Sequence, residues 1–509
     1  MHRPRLLIAG SCLIAAALLL PLVFLLIQAQ QVGWSELAKL LFRHLTLVLL
    51  LNTVKLTVVV TAACAVLGTA AAWCVERTTL PFRDVWAVLL VLPVAIPDFV
   101  VGYAWSSAFP WLHGLAGAAI VMTFATYPLV YLPVAASLRR TDPALDETAR
   151  SLGLGRVATF RRVTLRQIRT ALLGGCLIVS LALLAEYGAF EIMRYKTFTT
   201  EIFVEFNLGF NSPAACAMAL VLVLLCVVVL TGEAAASRRF AAGLSTPRMP
   251  TRYHLRTSLV PMLLGFGALT VAALGVPVGT IAYWLVRGQS STLPGSSIWS
   301  AAGHTVAYSG LAAALATAGA LPIAILASRH RGRLTMLLER STFVVQALPG
   351  LVIALSLVFF SIRYARNLYQ SSLLLVVAYA VLFFPLALIC VRASLAQAPA
   401  RLEEMGRSLG RSRRYVFVHV TLPLVAPGLA AGFCLVFLSA VTELTATLIL
   451  VPTGVHTLAT RFWAYQTNAS YGAAAPYAAI LVAVAVIPTY VLSRWFDRRP
   501  SPVPLVLAA

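Results

Sequence analysis

The segment Glu147-Thr148-Ala149-Arg150-Ser151-Leu152-Gly153 returns as Glu404-Met405-Gly406-Arg407-Ser408-Leu409-Gly410, a displacement of 257 residues (147 to 404). Under the same displacement Phe160 meets Phe417, Val163-Thr164-Leu165 meets Val420-Thr421-Leu422, Gly175 meets Gly432 and Glu186 meets Glu443; upstream, Pro128 meets Pro385. Nearer the start of each half the displacement becomes 252 (52 to 304): Asn52-Thr53-Val54 pairs with His304-Thr305-Val306, and Arg77 with Arg329. A repeat that holds register over this length means that one structural unit occurs twice.

The nature of the unit follows from its solvent. Of the 509 residues 60% are hydrophobic and only 11% charged, and the mean hydropathy is +0.89. A water-soluble chain of this size needs more polar surface than that, whereas in lipid the exterior is free to be apolar. Apolar stretches long enough to cross about 30 Å of hydrocarbon fall near residues 6–27, 46–75, 85–106, 114–137, 170–193 and 214–232, and again near 258–286, 301–327, 341–361, 371–395, 424–451 and 475–493. The first run is long for a signal-peptide core and no small-residue cleavage site follows it, so it reads as an uncleaved helix. The expected fold is an all-α polytopic membrane protein of about 12 transmembrane helices. They form two tandem six-helix repeats that run the same way through the membrane, because an even number of helices separates the matched loops. The first unit covers 1–232 (core about 46–232), a cytoplasmic linker 233–257, the second unit 258–497 (core about 301–493) and a cytoplasmic tail 498–509.

The formal charge of +22 does not indicate nucleic acid, because the charges lie between apolar runs rather than in one stripe. With the N-terminus placed in the cytoplasm, 30 of the 39 basic residues fall on the inner side. That asymmetry puts both termini inside. The eight cysteines sit in apolar segments without C-x-x-C spacing, and the eight histidines are equally scattered. Small buried thiols explain the cysteines better than disulfide or metal chemistry. A P-loop needs Gly-Lys-Ser/Thr, and the three lysines, Lys39, Lys55 and Lys196, follow Ala38, Val54 and Tyr195. The chain is therefore not expected to be an enzyme, and any ATP hydrolysis belongs to another subunit.

Each half carries one long inner loop between its fourth and fifth apolar runs. Asp142 suits a helix N-cap and Pro143 a first turn. A short helix over 143–152 then stops at Gly153 and Gly155, and a second is expected around 156–165. The other loop starts at Pro399 and stops at Gly410. These loops resemble the EAA loops of ABC-importer permeases: Glu147-Thr148-Ala149, Gly153 and Val163-Thr164-Leu165-Arg166 in one, Glu404-Met405-Gly406, Gly410 and Val420-Thr421-Leu422-Pro423 in the other. Thr148, Met405, Gly406 and Arg166 depart from that pattern. The resemblance implies a type I permease fold. It makes Glu147, Ala149, Gly153, Glu404, Gly406 and Gly410 part of two coupling helices that dock on a dimer of ATP-binding subunits. ATP and Mg would sit on that partner and no cofactor on this chain. Ordinary helix caps and inside-positive anchors account for the same glycines and arginines, but not for their recurrence in register.

Two carboxylates lie inside apolar runs: Glu186 in Leu183-Leu184-Ala185-Glu186-Tyr187-Gly188-Ala189-Phe190 and Glu443 in Ala440-Val441-Thr442-Glu443-Leu444-Thr445-Ala446-Thr447. At 1.5 Å per residue each stands about 20–25 Å from the inner end of its helix. A charge there costs a few kcal/mol and belongs to a pathway or to an ion pair. Lys55 enters the second helix at comparable depth and offers Glu186 a partner. Its counterpart is Ala307, so Glu443 has none.

The runs after these carboxylates, Arg194-Tyr195-Lys196-Thr197-Phe198-Thr199-Thr200-Glu201-Ile202 and His456-Thr457-Leu458-Ala459-Thr460-Arg461, together with the fused architecture, resemble the ferric-iron permeases of bacterial ABC importers. That resemblance implies a multi-pass protein of the bacterial inner membrane, a periplasmic binding protein docking on the outer face, alternating access, and Fe³⁺ as cargo. Glu186, Tyr187 and Glu443 offer the hard oxygen ligands that Fe³⁺ prefers, with no metal site defined. Permeases for thiamine, polyamine or phosphonate, a secondary carrier driven by an ion gradient, and, more distantly, a membrane scaffold without transport are the alternatives.

Overall fold

The computed structural model describes residues 5–139, 141–207, 209, 211–238, 259–288, 295–329, 332–346 and 348–497. Among them the chain is helical, with no β-sheet. The first half contributes α1 (Arg5–Val32), α2 (His44–Arg77), α3 (Asp98–Ala108), α4 (Gly114–Leu138), α5 (Pro143–Ser151), α6 (Val157–Ala185), α7 (Phe198–Asn207) and α8 (Ser212–Arg238). The second contributes α9 (Leu259–Arg287), α10 (Ser296–Arg329), α11 (Gly350–Tyr364), α12 (Ser372–Gln397), α13 (Ala400–Ser408), α14 (Arg413–Val441), α15 (Leu458–Thr467) and α16 (Tyr471–Asp497). Each helix of the first set has its counterpart eight places later.

Ten of these helices are long and apolar enough to cross a membrane, or eleven if the pair bent at Pro97 is one broken span, against the twelve expected. The interrupted runs are the third of each half, and proline is the reason. Pro97 and Pro349, equivalent in the 252 register, stand at the N-caps of α3 and α11. Proline lacks an amide hydrogen and drives the preceding residue out of the helical region; Ile96 is extended at φ −95°, ψ 121°. The run 85–106 consequently breaks into Arg83–Ala95 and α3, bent by 94°. The run 341–361 leaves α11 with 15 residues, about 22 Å of helix and short of a full crossing. Residues 233–238, expected in the linker, belong to α8; most of the linker and the 498–509 tail lie outside the described residues.

The two halves complete each other. One apolar core draws Leu18, Leu25, Phe198 and Ala215 of the first half together with Leu351, Tyr379 and Leu388 of the second. The other draws Val60, Phe99, Val130 and Phe190 together with Phe266, Phe462 and Tyr477. The first helix of each half crosses over: α1 packs on α11, and α9 packs on α3. Large apolar side chains such as Leu13, Val58, Leu264 and Ile487 stand exposed around the outside, which only a hydrocarbon surround tolerates.

The repeated Asn52-Thr53 and His304-Thr305 pin the segments that lead into α7 and α15. Thr53 Oγ1 accepts from the Phe198 amide at 3.2 Å, and Thr305 Oγ1 from the Leu458 amide at 2.8 Å. The amides of Thr197 and Thr457 donate to the hydroxyls of Thr200 and Thr460, both at 2.9 Å. Asn52 Nδ2 donates to Lys196 O at 3.2 Å, and His304 Nδ1 meets His456 O at 3.1 Å.

Candidate functional site: a carboxylate cavity between the halves and two short repeated helices

The helices α5 and α13 are built alike. Asp142 accepts from the Ala144 amide at 3.0 Å, giving α5 its N-cap. Both helices end on a glycine in the left-handed region, Gly153 at φ +86° and Gly410 at φ +78°. The next amide closes the cap, Leu154 donating to Ala149 O at 3.1 Å and Arg411 to Gly406 O at 3.2 Å, the bonding of a Schellman turn. Glu147 and Glu404 point outward and are exposed, whereas Ala149 is buried. Gly406, the counterpart of Ala149, has no room for a methyl group, because a Cβ there would stand 2.9 Å from Val416 Cγ2. Beside the glutamates each helix exposes a matched leucine pair, Leu145 with Leu152 and Leu402 with Leu409. The second short helix expected around 156–165 is instead the start of α6. A π-helical turn at Phe160–Thr164 joins them, and an equivalent π turn at Phe417–Thr421 lies in α14.

Sequence reasoning passed over the residues that attach these helices to the bundle. Asp146 is buried beside Arg77 at 3.6 Å and accepts from Thr164 Oγ1 at 3.1 Å. Its counterpart Glu403 holds Arg329 at 2.9 Å. The signal was present: an acid precedes each motif glutamate, and the arginines repeat in register.

Deeper in the bundle, α6 ends at Ala185 and α14 at Val441, so neither carboxylate lies within its helix as expected. Glu186 is the extended C-cap residue, and Glu443 follows the C-cap Thr442. Each carboxylate caps the short helix that comes next: Glu186 Oε1 accepts from the Ala189 amide at 2.7 Å, and Glu443 Oε1 from the Ala446 amide at 2.9 Å. Threonines hold the backbone behind them, Thr199 donating to Glu186 O and Thr447 to Glu443 O, both at 2.6 Å. Both glutamates face one cavity of about 340 Å³ between the halves, lined also by Phe99, Thr126, Phe383 and Ser439.

A third carboxylate, Asp98, lines the same cavity from the first turn of α3. It was hidden because residues 85–106 read as one unbroken span. In the second half Gly350 takes its place, and a Cβ there would stand 3.2 Å from Glu443 Oε1. Tyr187 is not among the lining residues; its ring stacks on Phe203 at 4.4 Å and leans on Trp463 at 5.5 Å. Lys55 is exposed and makes no ion pair with Glu186 among the described residues. No three His, Cys, Asp or Glu side chains converge as a metal-holding group among the described residues. Three carboxyl groups, those of Asp98, Glu186 and Glu443, thus line one cavity between the halves.

Comparison with known proteins places this geometry. Residues 64–242 and 320–502 each match the family described as the binding-protein-dependent transport system inner membrane component. The chain is 38% identical over 489 residues, 95% of its length and 97% of the relative's, to the "Fe(3+)-transport system permease protein FbpB 2" of Haemophilus influenzae. It is 22% identical over 442 residues, 78% of its length and 64% of the relative's, to the "Ferric transport system permease protein FbpB" of Actinobacillus pleuropneumoniae. Over 243 residues, 43% of the chain and 85% of the relative, it is 28% identical to the "Sulfate transport system permease protein CysT" of Salmonella typhimurium. The chain belongs to the family of binding-protein-dependent transport system inner membrane components, and it carries the family's unit twice.

Proposed function

We propose that the chain is the permease subunit of an ATP-driven importer that carries ferric iron across the bacterial inner membrane. The observation that carries this reading is the end-to-end similarity to an Fe³⁺-transport permease, 38% identity over 95% of the chain. The cavity supports it. Asp98, Glu186 and Glu443 line one passage, and three carboxylates can balance the charge of a trivalent cation while offering the oxygen donors it prefers. The three side chains do not chelate a single point, which suits a cargo that must leave as well as arrive.

In this reading both termini are cytoplasmic and α5 and α13 are coupling helices. Their exposed Glu147 and Glu404, with Leu145, Leu152, Leu402 and Leu409, form charged and apolar contacts for two ATP-binding subunits. Ala149, Gly153, Gly406 and Gly410 shape the helices for that contact. ATP and Mg belong to those subunits, and a periplasmic binding protein delivers iron to the outer ends of the bundle. The two bundles, α1 packed into the one that the second unit dominates and α9 into the other, rock against each other about the cavity in alternating access.

The test is uptake of radiolabelled Fe³⁺ by cells lacking this chain. Wild-type chain restores uptake, whereas Glu443→Gln and Asp98→Asn, at normal membrane levels, lower it by about tenfold. Restoration of thiamine, polyamine or phosphonate uptake with none for iron would overturn the substrate. Iron uptake persisting without any ATP-binding subunit would favour a gradient-driven carrier.

A further inference from the structure

We propose that the pairs Arg77 with Asp146 and Arg329 with Glu403 are struts through which each inner helix moves its bundle, the first stiff and the second compliant. The inference rests on the reading of α5 and α13 as the levers on which ATP-binding subunits act. A lever transmits force only where it is tied. Along the chain α5 and α13 leave through left-handed glycines, Gly153 and Gly410, the residue type with the softest backbone. The lateral ties are the two arginines, each at the inner end of the long helix that opens its half's core, α2 or α10. The arginines are equivalent in the 252 register and the carboxylates in the 257 register, so the repeat reproduces the strut itself.

The two struts differ in ways that alter stiffness. The side chains of Arg77 and Asp146 are only 1% and 4% exposed. Arg77 also donates to Thr141, and Asp146 accepts from Thr164 in the π turn of α6. The first lever is thereby tied to α2 and α6 at once. Next to Arg77, buried Glu76 holds Arg83 at 2.8 Å and Arg139 at 2.7 Å, bracing the same corner. In the second half Ser328 stands where Glu76 does, and its hydroxyl merely bonds back to Ala324 O at 2.9 Å. Arg329 holds Glu403 and Ala398 O, but the pair is 16% and 21% exposed. Water and salt weaken an accessible pair far more than a buried one. Burial also leaves Nε and Nη1 of Arg77 without partners among the described residues, so the stiff strut has donors to offer in another position of the lever.

The experiment uses the full importer in proteoliposomes and reads iron transported per ATP hydrolysed, with retention of the ATP-binding subunit on the permease measured in parallel. Glu403→Gln, at a part-exposed site that tolerates substitution, is expected to keep the subunit bound and to lower transport per ATP by about threefold. The exchanged pair Arg329→Glu with Glu403→Arg is expected to recover more than half of the loss. Asp146→Asn is expected to lower the ratio by about tenfold or more. An unchanged ratio in Glu403→Gln and Asp146→Asn overturns the struts, and so does loss of the bound subunit in those variants, which would make the residues docking contacts. Failure of the underlying reading looks different: Glu147→Ala with Glu404→Ala would then leave subunit binding intact.

Discussion

Val130 lies between two glycines of neighbouring helices. A Cβ at Gly68 would come within 2.9 Å of Val130 Cβ, and one at Gly175 within 2.9 Å of Val130 Cα. Small residues let membrane helices approach to backbone contact, and here they bring α2 and α6 onto the backbone of α4 around Val130. The second repeat solves the same junction with Ala320, Ala387 and Gly432. Gly68→Ala alone is expected to destabilise the purified protein by about 1–3 kcal/mol through overpacking, read as a drop in melting temperature in detergent. Adding Val130→Ala is expected to recover little of it, since alanine keeps the Cβ that is met and the backbone O of Tyr127 and N of Tyr131 stand at 3.0 Å as well. At Gly153 and Gly410 nothing lies within 4 Å of where a methyl group would stand, so the cost of Gly153→Ala or Gly410→Ala is that of the left-handed backbone alone, about 1–2 kcal/mol each. Asparagine, which visits that region more readily, is expected to cost less than alanine in the same melting assay. The matching of Gly175 with Gly432 was legible in the sequence. Its meaning was not, because a glycine facing a neighbouring backbone and one ending a helix look the same in a string of letters.

Among the elements, apolar length and the repeat identified ten spanning helices, the two short helices α5 and α13 and their register. The broken third helix of each half escaped because hydropathy averages composition and is blind to direction; Pro97 and Pro349 turn the chain without making it polar. Asp98 was lost for the same reason. The Asn52-Thr53 and His304-Thr305 repeats were visible as signatures, but their work depends on Phe198 and Leu458, far along the chain. Replacing Thr53 or Thr305 by valine keeps the shape and removes the acceptor of a buried amide. A buried donor left unpaired costs about 1–3 kcal/mol. Thr53→Val and Thr305→Val are each expected to lower the melting temperature, and amide exchange in α7 or α15 respectively should accelerate in the same variant. Unchanged exchange would mean that α7 or α15 is held from elsewhere.

At the scale of the molecule, each apolar core draws on both halves, and α1 and α9 are traded between them. Cutting the chain within 239–258 and producing the pieces together is expected to yield a complex that copurifies and transports. Either piece alone, with half of each core exposed, is expected to be degraded. Stable isolated halves, detected by size and melting behaviour, would contradict this. The interdigitation was not legible beforehand, since a repeat reveals how many units there are and not which partner each helix chooses.

Two identical subunits about a twofold axis must furnish every group in duplicate, so the space they enclose can only hold an even tally of acids. Joining the copies into one polypeptide lifts that arithmetic. Asp98 on one wall and glycine at position 350 on the other leave the interior with an odd number, an asymmetry that no twofold-symmetric homodimer could inherit.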